Sequence, residues 1–168
     1  MKPDQRRRLE ASSWLAVVRA YQECNRRYTQ MLEHFELTIA QFDALTAIAR
    51  HEPDATPKSI AEELLVTRGN VTGLLHRLQE RGLVITRQNE TDGRSFHCLL
   101  TSQGRRRLEQ ARAASARFIE AQLAIFDGNE LDLTGTMMAR MERHLHSLDP
   151  HQLASGNDAR PTPKRKSS

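Results

Sequence analysis

Apolar residues are spaced with a helical period over most of this chain. Between residues 11 and 36 they recur at steps of three and four, which is the spacing of one face of an α-helix. They are Trp14, Val17, Val18, Tyr21, Cys24, Tyr28, Met31, Leu32 and Phe35. The stripe predicts a long first helix, preceded by a basic N-terminal tail over residues 1–10.

Three shorter helices are predicted next, each with a capping residue at its start. Thr38 followed by Gln41 is typical of a capping box, and Thr56 stands directly before a proline, as at many helix N-termini. Thr67 predicts a further helix start, and Gly82 predicts the end of that helix. Because the third and fourth helices are short and close together, the pattern indicates a helix-turn-helix unit.

The period then changes from that of helices to that of strands. Residues 83–87 form a β-branched run, and residues 95–100 alternate between apolar and polar positions. A polar loop containing Asp-Gly joins the two runs. This combination predicts a β-hairpin with a long tip.

Two further helices and a tail are predicted after the hairpin. Thr101 is a candidate N-cap, and apolar positions at helical spacing continue to Leu148, with one break at Asp127-Gly128-Asn129. From His151 onward the chain is rich in Pro, Ser and Lys, a composition typical of disorder.

The predicted fold class is mainly α with a small β-hairpin wing. The order of elements is that of a winged helix-turn-helix framed by terminal helical segments. The predicted segments are a basic tail (1–10), one domain (11–150) and a disordered C-terminal tail (151–168). Within the domain, the winged helix occupies about 38–101 and the helical flanks occupy about 11–36 and 102–148.

Composition excludes several classes of function. No apolar run reaches the roughly 18 residues of a membrane span, and no apolar segment follows the basic N-terminus as in a secretory signal. We therefore expect a cytoplasmic protein without a membrane partner. Cys24 and Cys98 are too few for a disulfide framework or a zinc site, and no phosphate-binding glycine loop is present. No enzymatic activity, cofactor or metal is predicted.

Positive charge is concentrated in the middle of the chain. Residues 65–107 contain eight arginines and three acidic residues, whereas the net charge of the whole chain is only +4. The arginines are Arg68, Arg77, Arg81, Arg87, Arg94, Arg105, Arg106 and Arg107. Such a segment is typical of a surface that binds a polyanion, although a solvated charged face is the alternative.

A series of short motifs runs through the predicted winged helix. They are Leu37-Thr38 with Gln41-Phe42 and Leu45, Ile60-Ala61-Glu62-Glu63-Leu64, Val71-Thr72, Leu74-Leu75, Arg77-Leu78, Glu80, Gly82-Leu83-Val84, Asp92 with Arg94-Ser95, and Leu100-Thr101 with Gly104. At this spacing, the series resembles the MarR family of bacterial transcription regulators.

In that family the N-terminal end of the fourth helix enters the DNA major groove. The resemblance therefore implies DNA contacts from Thr67, Arg68, Asn70, Thr72, His76 and Arg77. Free N–H groups at a helix start attract phosphate, and Arg and Asn side chains match guanine and adenine edges. His76 and Arg77 fit phosphate contacts better than base reading. The alternative for Thr67 and Arg68 is a helix cap and a solvated charge.

Gly73 departs from the family pattern, since many relatives carry a long or basic side chain there. At the hairpin tip, Asp92 and Arg94 match the family's Asp-x-Arg pair, whose arginine reaches an A·T-rich minor groove. The alternative is an ion pair without DNA contact. Arg87 and the run 105–107 are expected to bind phosphates.

The resemblance also implies how the protein works. It predicts a homodimer that binds double-stranded DNA at a pseudo-palindromic operator, as a repressor released by a small-molecule effector. The long apolar terminal helices favour a dimer independently. Some relatives sense peroxides with a cysteine in the first helix, but core packing is the expected role of Cys24. The alternative function is a helical-bundle protein-interaction module or an architectural DNA-binding protein without a ligand response.

Overall fold

The structure, a computed structural model, describes residues 2–88 and 96–155. Within these ranges it contains seven helices and one antiparallel pair of strands. The elements are α1 (Pro3–Glu33), α2 (Ile39–His51), α3 (Pro57–Leu64), α4 (Arg68–Glu80), β1 (Val84–Gln88), β2 (Phe96–Leu100), α5 (Ser102–Leu123), α6 (Gly128–His146) and α7 (Pro150–Ala154). The predicted fold class, mainly α with a hairpin wing, is confirmed.

The chain divides into two compact units, residues 1–121 and 122–168. The first unit holds α1 to α4, the hairpin and nearly all of α5. Its buried core includes large side chains from each of these helices and from the first wing strand. The largest fully buried ones are Leu32, Leu45, Ile48, Ile60, Leu78, Leu83 and Leu108. The second unit holds α6 and α7, and neither helix has a buried residue.

The predicted helix starts are confirmed by their hydrogen bonds. The backbone N–H of Gln41 donates to Thr38 Oγ1 at 3.2 Å, and the backbone N–H of Thr38 donates to Gln41 Oε1 at 3.0 Å. Thr56 forms the same reciprocal box with Ser59. Thr67 Oγ1 accepts from the backbone N–H of Asn70 at 3.4 Å. Each cap satisfies N–H groups that have no partner inside their own helix.

The end of α4 has the geometry that its glycine predicts. Gly82 has a φ of +67°, in the left-handed region that glycine adopts without steric penalty. Its N–H donates to the carbonyl of Gln79 at 2.8 Å, and the N–H of Leu83 donates to the carbonyl of Leu78 at 3.0 Å. This pair of bonds is the Schellman motif, and it turns the chain from α4 into β1.

The wing is a short hairpin that is hydrogen-bonded to the helical body through its second strand. Val84 pairs with Leu100 and Arg87 pairs with His97 in the antiparallel register. The N–H of Cys98, in the middle of β2, donates to the carbonyl of Ala55 at 2.7 Å. The tip, which carries the predicted pair Asp92 and Arg94, lies outside the described residues.

Two predicted boundaries differ from the structure. Helix α1 begins at Pro3, so most of the segment expected to be a basic tail is helical. The reason is local, because proline suits the first helical position and the pairs Arg6–Glu10 and Arg8–Asp4 link successive turns. At the other end, Asp149 caps the short helix α7 where the predicted tail begins. Residues 156–168 lie outside the described residues.

Candidate nucleic-acid interface

Helix α4 is fixed to the body by one face only. The buried face consists of Val71, Leu74, Leu75 and Leu78, each exposed by 8% or less. Because successive residues of a helix are about 100° apart, the middle of the opposite face is formed by Gly69, Gly73, His76 and, at the end of the helix, Glu80. All four are exposed. The helix therefore presents a face with two glycines to whatever binds there.

The start of α4 is electrostatically suited to an anion. Thr67 is its N-cap, and the first turn contains no acidic residue. Arg68 and Asn70 are exposed in that turn. The unpaired N–H groups of a helix start carry partial positive charge, which the Arg68 guanidinium extends. Thr67 is thus a helix cap, which is one of the two roles predicted for it. Its bond uses the backbone N–H of Asn70 and not the Asn70 side chain.

Two predicted contact residues one and two turns later are held by bonds within the helix. Thr72 Oγ1 donates to the carbonyl of Arg68 at 2.9 Å, so its proton is occupied and its oxygen remains an acceptor. Arg77 Nε donates to the carbonyl of Gly73 at 3.1 Å, which leaves the terminal guanidinium nitrogens to face outward. Both side chains are exposed.

His76 has a competing intrachain partner. Its Nδ1 lies 3.4 Å from Glu80 Oε2, and both side chains are largely exposed. An exposed pair of this kind contributes little to stability, so a phosphate could replace the carboxylate. The pair therefore leaves a phosphate contact from His76 open.

The wing contains Arg87, which the sequence predicts to bind phosphate. Arg87 is exposed on β1, directly opposite His97 on β2. A side-chain bond from Gln79 Nε2 to Thr86 Oγ1 at 3.2 Å joins α4 to this strand. The position of Arg87 relative to α4 is thus partly set by a direct contact between the two elements.

Three arginines of the basic segment form ion pairs within the chain. Arg105 Nη2 lies 2.6 Å from Glu52 Oε2, and Arg107 Nη1 lies 2.6 Å from Glu36 Oε2. Arg81 bonds to the same Glu36 oxygen at 3.4 Å. Arg105 and Arg106 remain exposed, and the expectation that the run 105–107 binds phosphates stays a prediction. Only Arg106 of that run is exposed without an ion pair within residues 2–88 and 96–155.

Sequence reasoning missed Glu52 altogether. Its side chain is mostly buried, and Oε1 accepts from the backbone N–H of Leu100 at 2.7 Å while Oε2 bonds to Arg105. One carboxylate thus ties the loop after α2 to the end of β2 and to the first turns of α5. Nothing in the local sequence marks this residue, because its partners lie about fifty positions away.

A cavity of about 300 Å³ lies beside α4. Its lining residues are Ala40, Asp43, Leu64, Val66, Asn70, Leu74 and Arg77. Burial raises the pKa of the Asp43 carboxyl above its ordinary value. Two predicted DNA contacts, Asn70 and Arg77, therefore line a partly apolar cavity.

The two cysteines lie in different surroundings. Cys98 is fully buried on β2, and burial raises the pKa of its thiol to about 11. This agrees with the packing role expected of a free cysteine inside a core. Cys24 is half-buried on α1. Among the described helices, none is long and apolar enough to cross a membrane.

A helix-turn-helix that exposes its second helix beside a β-hairpin defines a winged-helix DNA-binding protein. Residues 35–95 match the sequence profile of the MarR family. Over 135 residues the chain is 30% identical to an uncharacterized HTH-type transcriptional regulator of Bacillus cereus, across 78% of this chain and 87% of that relative. The chain belongs to the MarR family, so the resemblance in its sequence is confirmed. It is a transcription regulator that binds DNA.

Solved structures show the same fold. A MarR family transcription regulator superposes with a TM-score of 0.78 at 18% identity, covering 86% of this chain and 95% of that one. The organohalide-sensing regulator RdhR, in its form bound to 2,4-dichlorophenol, gives a TM-score of 0.71 at 18% identity, covering 81% and 80%. At these identities the likeness concerns the fold alone.

Proposed function

We propose that this regulator is a homodimeric repressor that binds a pseudo-palindromic operator and leaves it when a small ligand binds. The observation that carries the proposal is the two-sided character of α4. One face is buried, and the rest of the helix exposes Arg68, Asn70, Thr72, His76 and Arg77. The first turn of the helix contains no acidic residue. Such a regulator acts on the chromosome, so we place it in the cytoplasm.

At the DNA, these residues then divide between base reading and phosphate binding. Arg68 pairs with a guanine edge and Asn70 with an adenine edge, because their side chains match those donor and acceptor patterns in the major groove. Thr67, His76, Arg77 and Arg87 bind phosphates, which positions the protein without reading sequence. Arg94, oriented by Asp92, enters the flanking minor groove.

The proposal of a homodimer is supported by exposed apolar side chains on the terminal helices. On α1, Trp14 is 65% exposed and Tyr21 is 69% exposed. On α6, Met138, Met141 and Leu145 lie at helical spacing and are each exposed by 40% or more. Apolar surface of this kind is typical of an interface that a partner covers. A two-fold dimer would read half-sites about 10 base pairs apart.

Release by a ligand is supported by a regulator of the same fold that binds one. The structure of RdhR holds 2,4-dichlorophenol, a small aromatic compound. A repressor with the same fold can use a ligand of this size to shift its population away from the DNA-binding arrangement. The effector of this chain is therefore expected to be a small organic molecule.

Selection of binding sites from random duplexes tests the proposal. The purified full chain should enrich a pseudo-palindrome whose half-sites lie about 10 base pairs apart. Binding to the enriched site should exceed binding to a scrambled duplex at physiological salt by at least about a thousandfold. Enrichment of no sequence, with equal affinity for both duplexes, would support an architectural DNA-binding role instead.

A further inference from the structure

One carboxylate connects three parts of the first unit that sequence order keeps apart. Glu36 lies in the turn between α1 and α2, where it has a φ of +53°. Its Oε2 lies 2.6 Å from Arg107 Nη1, near the start of α5, and 3.4 Å from Arg81 Nη2, directly after α4. Both arginines are less exposed than the carboxylate that they share.

Each arginine has a second bond that fixes it to the framework. Arg107 Nη1 also donates to the carbonyl of Phe35 at 2.6 Å. Arg81 Nη1 also donates to Gln41 Oε1 at 3.2 Å. Gln41 is a buried residue of the α2 capping box, so this oxygen is itself held in place. The network of Glu36, Arg81, Arg107 and Gln41, called here the Glu36 cluster, is therefore anchored at both ends.

Arg81 connects the Glu36 cluster to α4, the helix proposed to bind in the major groove. It is the C-cap residue of α4, directly before Gly82. A binding side chain must be held within about 0.5 Å of its working position, and the residues behind it provide that support. The Glu36 cluster is the support at the C-terminal end of α4, while Arg107 lies in the second turn of α5 and Phe35 lies in the turn after α1.

We propose that Glu36 is a positioning residue of the DNA interface, holding the end of α4 to the start of α5 through Arg81 and Arg107. The inference rests on the proposed function, since it concerns how α4 is aimed at an operator. Hydrogen bonding by Arg107 lowers the pKa of the Glu36 carboxyl, so the carboxylate stays charged at neutral pH. Glu36 itself does not touch DNA.

Replacing Glu36 by glutamine tests this role against a matched control. Glu33, three positions earlier, is exposed and has no side-chain partner among the residues that the structure describes. Glu33→Gln and Glu36→Gln remove the same charge from nearly the same place. Loss of a negative charge alone strengthens the general attraction to DNA phosphates. Glu33→Gln should therefore bind the selected operator as tightly as the wild type or slightly more tightly.

Glu36→Gln should change operator binding in the opposite direction. We expect an affinity about fivefold weaker than that of the wild type, with an unchanged slope of affinity against salt because no phosphate contact is lost. Affinity for scrambled duplex should match that of Glu33→Gln. Equal operator affinities for the two variants would overturn the inference.

Amide hydrogen exchange provides a second measurement that needs no DNA. In Glu36→Gln, amides of residues 78–82 and of the first turns of α5 should exchange faster than in the wild type and in Glu33→Gln. Identical exchange in both variants would contradict a positioning role even if affinity changed. If the wild type selected no operator, the proposed function would fail, while exchange would still show whether Glu36 holds α4.

Discussion

The backbone carbonyl of Leu83 lies directly against the α-carbon of Gly104, where any side chain would collide with it. Leu83 precedes the first wing strand, and Gly104 lies in the first turn of α5. The contact is reinforced by Thr101, whose hydroxyl donates to the carbonyl of Gly82 at 2.7 Å and accepts from the N–H of Gly104 at 2.9 Å. A missing side chain thus permits the wing and α5 to meet.

Gly104→Ala should destabilise the protein because the obstructing atom belongs to the backbone and cannot rotate away. We expect the free energy of unfolding to fall by about 1–3 kcal/mol, as in other overpacked sites. Urea unfolding measures the change. Gly135→Ala is the control, since Gly135 lies inside α6 with open space around it. That substitution should stabilise its helix slightly, by about 0.5–1 kcal/mol. Equal effects of the two substitutions would contradict the contact.

Substitution of Arg68 and substitution of Arg94 should change operator binding in different ways. Arg68→Ala should weaken operator binding and relax the preference at one symmetric pair of bases, because a bidentate contact to guanine is worth roughly 1–3 kcal/mol. Arg94→Ala should cost a similar affinity but relax only the outer, A·T-rich flanks, because the minor groove distinguishes little else. Asp92→Ala should reproduce part of the Arg94→Ala effect.

Repeating the operator selection with each variant measures these preferences. Arg117→Ala is a suitable control, since Arg117 is an exposed arginine of α5 that was not predicted to bind DNA. It removes one positive charge and should leave the selected sequence unchanged. A changed preference at the central bases in Arg94→Ala would mean that the proposed docking of the wing is wrong.

The dimer should depend on the apolar stripe of α6. Sedimentation of the wild type at micromolar concentration should give about twice 19.2 kDa. Met138→Lys should shift the protein toward the monomer, because a charged group cannot be buried in an apolar interface without a partner. Thr136→Lys adds the same charge about 160° around the helix and should remain dimeric. A monomeric wild type would also remove the expectation of paired half-sites.

Stability should fall at alkaline pH through Cys98. Its folded pKa is raised to about 11 from 9.0, so below pH 9 the thiol is protonated in both states and its stabilising effect is complete. Between pH 9 and 11 the unfolded chain loses this proton first, and the free energy of unfolding decreases. Unfolding of wild type and Cys98→Ala over this pH range should differ in slope. Parallel curves would contradict the buried, protonated thiol.

Cys24 lies in the apolar stripe of α1, so we expect no redox regulation of DNA binding through this residue. Cys24→Ser should bind and release DNA as the wild type does, or be slightly less stable. Gel-shift titrations with and without an organic peroxide compare the two proteins. Peroxide-induced release that is lost in Cys24→Ser would show that the thiol is a sensor.

Local features of this chain could be predicted because their partners are close in sequence. The caps at Thr38, Thr56 and Thr67 each depend on a residue three positions ahead, and the turn at Gly82 depends on the conformational freedom of one glycine. The apolar spacing that marks the inner face of α4 likewise needs only the helical period. The exposed candidates on α4 follow from the same pattern.

The tertiary structure alone decided which arginines of the basic segment have carboxylate partners within the chain. In the sequence, Arg81, Arg105 and Arg107 look like Arg68 and Arg77, since all belong to one basic segment. Their carboxylate partners lie 45, 53 and 71 positions away, respectively. Pairing over such distances is set by how the helices pack, and residue type and spacing do not encode it. Charge in the sequence therefore indicated a polyanion-binding segment, and packing placed carboxylates beside three of its arginines.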